Sequence, residues 1–335
     1  MANEMIYLTE TDVAGLVDLT DAIEALEQAC ARQGRGETLE IPKALGTFGD
    51  GASLHALGSA FPEAGIGGFK TWVNTKRGAM AVMTVFDLEQ GCLVAIVEAG
   101  ALGQLRTAAI AGVGTKWLAR PDASDMALIG TGRQAMMQVA AVAAVRRLRS
   151  LRVFSPNAEH RQAFVQAARE AFGFTVTESG SAAAALDGAD IATLVTRARD
   201  PFVHADMLAP GMHLNAVGAI LPANAELHGD VFARARAVVV DSLAGVQKNS
   251  REMIDHFGAA ASWDAVQTLS DVIANGLRPA AYGDVTVFKA MGMGISDLAV
   301  VQMVLERARR DQVGTVIAAP AGARPRWRAD KLAAE

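Results

Sequence analysis

The run Leu128-Ile129-Gly130-Thr131-Gly132-Arg133-Gln134-Ala135 carries the most specific chemistry in the chain. Residues 127–129 before it read as a short apolar strand, and residues 134–147 after it as a helix. Between a strand and a helix, this glycine spacing makes a dinucleotide-binding turn. Gly130 permits the tight turn, and Gly132 lets backbone N–H groups approach a pyrophosphate. Ala135 stands where a third glycine would allow close helix–strand packing. The helix N-terminus offers its dipole to the phosphates. Without that context the same residues would be an ordinary glycine-rich turn.

A second strand, 151–154, ends at Ser155-Pro156-Asn157, which offers no carboxylate for a ribose 2′-hydroxyl. Arg161 follows closely and is suited to a 2′-phosphate, or is simply a solvated charge on the next helix. The cofactor reading is therefore NAD(P)H, with a slight lean to NADPH.

Two lone charges sit in apolar surroundings: Lys70 after Gly67-Gly68-Phe69, and Arg106 between Leu105 and Thr107. A buried guanidinium needs a partner, and its planar fork suits a carboxylate. Taken alone, each charge is more often half of a structural ion pair or a surface residue with a buried stem. The six histidines (His55, His160, His204, His213, His228 and His256) show no metal-ligand spacing. Cys30 and Cys92 make neither a disulfide framework nor a zinc site.

These residues must be held by a chain of 335 residues, enough for about two domains. Apolar residues are 51% and aromatics only 5%, so the core is aliphatic and wholesale disorder is excluded. A net charge of −5 argues against nucleic acid as the main partner. The longest uncharged run, residues 207–225, contains Pro210, His213, Asn215, Pro222 and Asn224, which excludes a lipid-spanning helix. The N-terminus lacks a basic-then-apolar leader pattern, so a cytoplasmic protein is expected.

Residues 11–33 have helical spacing, with possible caps at Thr11 or Asp12 and again at Thr20-Asp21. Residues 40–98 read as strand-rich, with a turn at 65–68, a strand at 69–73 and a hairpin of 80–86 with 92–97. A helix is expected over 105–118. Strands near 127–129, 151–154, 175–176, 191–195, 213–217 and 237–240 then alternate with helical stretches, which predicts a parallel sheet with crossovers. The tail returns to helix over 296–310 and then turns basic and irregular at Arg324, Arg326 and Arg328.

The chain resembles the ornithine cyclodeaminase/μ-crystallin family over nearly its full length. The landmarks are Gly68 to Lys70, Phe86-Asp87 with Gly91, Leu105 to Ala109, Ile129 to Gln134 and Gly211 to Gly218. They continue with Pro222, Glu226-Leu227, Val240 to Ser242, Val287 to Lys289, Gly292 and Asp297-Leu298. The resemblance implies an α/β fold: a Rossmann-type, doubly wound parallel sheet inserted in a second α+β substrate and dimerisation domain. The expected division is 119–295 for the dinucleotide domain, and 1–118 with about 296–335 for the other.

It also implies that Lys70 and Arg106, with Lys43 as a looser match, hold a substrate carboxylate beside the nicotinamide. Arg133, Gln134, Ser155, Thr196, Ala216, Val217 and Gly218 would line the cofactor, along with Gly130, Thr131, Gly132 and Arg161 from the motif. A homodimer is implied, with a small imino- or amino-acid substrate and neither nucleic acid nor membrane as partner. One departure matters. Cyclodeaminases carry an Asp where this chain has Ile220, and an aliphatic side chain exchanges no proton.

The expected activity is therefore NAD(P)H-dependent reduction of α-imino acids, such as 1-pyrroline-2-carboxylate or 1-piperideine-2-carboxylate, or a related amino-acid dehydrogenation. Lys70 or His55 would supply the proton. An ornithine cyclodeaminase using bound NAD is the enzymatic alternative. A μ-crystallin-like small-ligand binding protein is the alternative of another class.

Overall fold

A computed structural model describes residues 4–49, 51–258, 262–278 and 284–325. The strands are β1 (Glu4–Leu8), β2 (Leu39–Phe48), β3 (Ala52–Phe61), β4 (Ile66–Thr75), β5 (Gly78–Asp87) and β6 (Cys92–Glu98). Next come β7 (Asp125–Ile129), β8 (Ser150–Phe154), β9 (Thr175–Glu178), β10 (Ile191–Leu194) and β11 (His213–Ala216). The last are β12 (Ala237–Val240), β13 (Val266–Thr268), β14 (Thr286–Lys289) and β15 (Thr315–Ala318).

They form two sheets. The first runs β15-β1-β6-β5-β4-β3-β2, a mixed sheet in which only the β1–β6 pair is parallel. Opposite residues in such pairs share a face, and side chains alternate along each strand. Trp72 pairs with His55 and Lys70 with Leu57, so all four line one face. Phe69, Val73, Leu54 and Met80 lie on the other.

The second sheet is wholly parallel, in the order β13-β12-β14-β11-β10-β7-β8-β9. Its central strands are buried on both faces, and the polar His213 and Asn215 of β11 are accordingly hydrogen-bonded to Thr286 and Thr115. The chain winds outward from β7 through β8 to β9, then returns and winds the other way from β10. That reversal opens a crevice at the carboxyl ends of β7 and β10, where this kind of sheet binds ligands. The doubly wound sheet is thus the one the sequence predicts.

The helix Gly100–Leu118 ties the two sheets together, and it is apolar on nearly every side. The Glu10 carboxylate accepts from the Gly100 and Ala101 amides at 2.6 and 2.5 Å, closing its amino end. Arg146 donates to the carbonyls of Thr115, Lys116 and Ala119 at its carboxyl end. Gly114 must stay small, since a Cβ there would stand 2.6 Å from the Phe288 ring.

Local expectations needed several corrections. The helix over 11–33 is two helices, Glu10–Leu16 and Leu19–Gly34, capped by Thr9 and Asp18. Asp12 and Asp21 are instead the return partners of those capping boxes. The turn at 65–68 is confined to the left-handed Gly65; Gly67 and Gly68 lie inside β4. A Cβ on Gly68 would stand 2.4 Å from the Thr84 carbonyl oxygen, so that strand pair requires the glycine. The terminal helix is Gly294–Asp311, and β15 follows it unforeseen, with every residue exposed. Arg324 lies in irregular chain, while Arg326 and Arg328 fall outside the described residues. No helix among the described residues is long and apolar enough to cross a membrane.

Candidate active site

Lys70 is 4% exposed on β4, an extreme place for an ammonium group. Its Nζ donates to Asp297 Oδ1 at 2.5 Å, and Arg106 Nε stands 3.3 Å from the same oxygen. Lys43 on β2 and Lys70 lie 5.4 and 5.2 Å from the Trp72 ring centroid, close enough for attraction to its π-face. His55 stacks on Trp72 at 4.4 Å and meets Ser53 Oγ through Nε2 at 2.7 Å. The three predicted basic residues therefore do meet: Lys70 and Arg106 at Asp297, and Lys43 with Lys70 over Trp72.

The cluster is electrostatically unbalanced. Burial, then the repulsion of Arg106, pushes Lys70 down to about 8 against the opposing pull of Asp297. Burial and Arg106 lower Lys43, and burial and Lys43 lower His55. Arg106 Nε, Asp297 Oδ2, His55 Nδ1 and Ser59 Oγ are buried and make no hydrogen bond within the chain. Buried polar atoms without hydrogen bonds are costly and rare, and the Arg106 Nε, His55 Nδ1 and Ser59 Oγ atoms amid excess positive charge suit an anionic ligand.

The other half of the site is the crevice of the parallel sheet. Gly130 has φ +106°, and a Cβ there would stand 2.8 Å from the Val195 carbonyl oxygen. Gly132 faces open space, leaving room for a phosphate against the backbone. Ala135 begins the helix Ala135–Val145, whose amino end has no side-chain cap. Gln134 Oε1 is buried without a partner, while Thr131 is half-buried and Arg133 exposed. An open cradle, an uncapped helix end and an unpartnered acceptor fit a dinucleotide.

Thr196 and the stretch Ala216 to Gly218 follow β10 and β11 at the same edge. Thr196 is tied up: its amide and hydroxyl donate to Glu226 Oε1 at 2.8 and 2.7 Å. Glu226 Oε2 accepts from the Gly218 and Ala219 amides, each at 3.1 Å. Glu252 Oε2 accepts from the Glu226 and Leu227 amides at 2.6 and 2.9 Å, and its Oε1 pairs with Lys289 Nζ at 2.7 Å. Lys289 also donates to the Ala219 carbonyl oxygen at 2.7 Å. Ser155 follows β8, and its carbonyl oxygen accepts from Arg161. Arg161 is thus not the free cation on which the lean to NADPH rests, since Glu178 also holds it at 2.7 Å.

One loop joins the two halves. Asp241 accepts from the Met291 amide at 2.8 Å and the Gly292 amide at 2.7 Å, fixing the chain beyond β14. Gly292 has φ +91°, and a Cβ on it would stand 2.9 Å from Arg106 Nη1. The end of the parallel sheet is thereby pressed against the basic cluster.

Asp297, Asp241, Glu226, Glu252, Lys289 and Trp72 were not foreseen as site residues. Lys289 is a lone charge in the apolar run 285–290, the same signal that singled out Lys70. Asp297, the sole charge in residues 290–305, and Asp241, the sole charge in 237–247, carried that signal as well. Among the described residues, no group of three or more His, Cys, Asp or Glu is placed to hold a metal.

A profile of the ornithine cyclodeaminase/mu-crystallin family matches residues 3–312. The chain belongs to that family. A Delta(1)-pyrroline-2-carboxylate reductase of Bacillus cereus is 33% identical over 243 residues, covering 71% of this chain and 74% of the relative. Another similar family structure is the Thermococcus litoralis Delta(1)-pyrroline-2-carboxylate reductase in complex with NADH and L-proline. It has 25% identity and a TM-score of 0.87, covering 93% of this chain and 99% of that one. An archaeal alanine dehydrogenase dimer with bound NAD has 27% identity and a TM-score of 0.87, covering 94% and 99%.

Proposed function

We propose that the chain is an NAD(P)H-dependent reductase of α-imino acids, acting on a small ketimine carboxylate such as 1-pyrroline-2-carboxylate or 1-piperideine-2-carboxylate. The observation that carries this reading is the gathering of Lys43, Lys70 and Arg106 about Trp72 and Asp297, pressed against the dinucleotide crevice by Gly292. Arg106 and Lys70, with Lys43 beside them, hold the substrate carboxylate through charge-assisted hydrogen bonds. A bound nicotinamide supplies the hydride to the imine carbon. Lys70 gives the imine nitrogen its proton: lowered to about 8, it remains mostly an ammonium at neutral pH yet releases its proton readily. The imine thereby gains one hydride and one proton and becomes an amino acid. The relative bound to NADH and proline supports this direction of chemistry.

Ornithine cyclodeamination is disfavoured by the exposed aliphatic Ile220 at the position of the family's Asp. The working division keeps β7 to β14 as the dinucleotide domain, and the mixed sheet with the helix Gly294–Asp311 as the substrate domain. A homodimer is supported by the alanine dehydrogenase dimer and by apolar Leu54, Phe69 and Met80, exposed on the sheet face opposite Lys70.

The test is a substrate panel followed by loss of reduced dinucleotide: the two cyclic imines, pyruvate with ammonia, and ornithine. Stoichiometric reduction of an imine with no proline formed from ornithine is expected. Robust ornithine turnover would overturn the assignment. Tight dinucleotide binding with no imine reduced would favour the binding-protein reading instead.

A further inference from the structure

We infer that Glu178, reaching over from the third strand of the parallel sheet, forms the subsite for the adenosine ribose with Arg161 and makes the chain prefer NAD(H) to NADP(H). The inference rests on the dinucleotide reading above and adds its selectivity. In a doubly wound sheet the ribose 2′ position is read at the carboxyl end of the second strand, here β8. The residues that follow β8 offer no charge for this. Ser155 and Pro156 carry no charge, and the Asn157 side chain caps the helix Ala158–Ala171 by accepting from the His160 amide at 2.8 Å.

The neighbouring strand supplies what is missing. Glu178 closes β9 opposite Val153, and the Ser179 amide fixes that end by donating to the Val153 carbonyl oxygen at 2.9 Å. Glu178 Oε1 accepts from Arg161 Nε at 2.7 Å. The same guanidinium lies 5.7 Å from the Phe154 ring centroid and donates through Nη1 to the Ser155 carbonyl oxygen. Arg161 is 13% exposed and Glu178 34%, so the carboxylate is the more accessible partner.

Two consequences follow from charge. The Arg161–Glu178 pair is neutral, so it offers no net attraction of its own for a 2′-phosphate. A phosphate bearing nearly two negative charges would meet the Glu178 carboxylate, and could reach Arg161 only by displacing its present bonds. A 2′-hydroxyl, in contrast, can donate to a carboxylate oxygen.

Titration of the full chain with NADH and NADPH, by calorimetry or by quenching of tryptophan fluorescence, tests this without any substrate. NADH is expected to bind at least about tenfold more tightly than NADPH. Glu178→Gln removes the charge while keeping the shape, and should narrow the ratio to within about threefold, mainly by improving NADPH. Competition by 2′,5′-ADP against 5′-ADP should shift in the same sense, and thermal melts should confirm that the variant is folded. A wild-type preference for NADPH, or an unchanged ratio in folded Glu178→Gln, would overturn the inference. If neither dinucleotide nor either adenosine phosphate binds the wild type, the crevice itself is misread and the inference falls with it.

Discussion

Two groups of buried charge lie on either side of the loop beyond β14, and they are built on opposite plans. In the Glu226, Glu252 and Lys289 group, each charge faces an opposite charge or backbone amides. Burial pushes Glu226 up, while Lys289 and the Thr196 donors pull it down. In the other group, Lys70 and Arg106 share Asp297 while Lys43 stands over Trp72 beside them, so cations are in excess. The first group resembles a structural brace holding the loop that carries Gly218. The second is incomplete without a ligand. What separates a brace from a site is the balance of its charges rather than its burial.

The largest effect should come from breaking the brace. Glu252→Ala leaves Lys289 buried without its counter-charge, and stability should fall by about 3–5 kcal/mol in urea or thermal unfolding. A change within experimental error would show that the network is not a brace at all.

Arg106→Ala should do the reverse. Imine kcat/KM should drop by about one to two orders of magnitude, the worth of a charge-assisted contact of roughly 1.5–3 kcal/mol. Unfolding should be unchanged or slightly favourable to the variant, because Lys43 and Lys70 lose a repulsive neighbour. Collapse of the fold would place Arg106 in the brace class instead.

The smallest effect is a pH dependence. Lys70 falls from its ordinary 10.5 to about 8 in the folded chain, so the folded state gives up this proton first. Imine kcat/KM should therefore decline as pH rises through about 8, and Lys70→Arg should flatten that limb. Between about 8 and 10.5 the unfolded chain binds the proton more strongly, so this residue's contribution to stability rises with pH in that window. An upper limb unmoved by Lys70→Arg would remove the residue from the proton step.

Six of the parallel sheet's eight strands were legible as short, mostly apolar stretches separated by helical spacing, while β13 and the central β14 were not foreseen. The mixed sheet was harder. β15 has no buried face, and its place is decided only by antiparallel pairing with β1 at the far end of the chain. The capping boxes were displaced by two or three residues, because Asp12 and Asp21 can cap or answer a cap, and the backbone chooses between these roles.

By itself, the sequence determined the dinucleotide turn, the lone cations Lys70 and Arg106, and the absence of an acid at Ile220. Each depends on residue type and near-neighbour spacing. Tertiary structure alone decided which charges are matched. Lys70 meets Asp297 across 227 positions, and Arg161, on the helix between β8 and β9, meets Glu178 across 17. An ion pair forms between side chains brought together by register and packing, and neither quantity is local. A lone charge in an apolar run therefore announces that a partner exists without saying whether the chain or a ligand provides it.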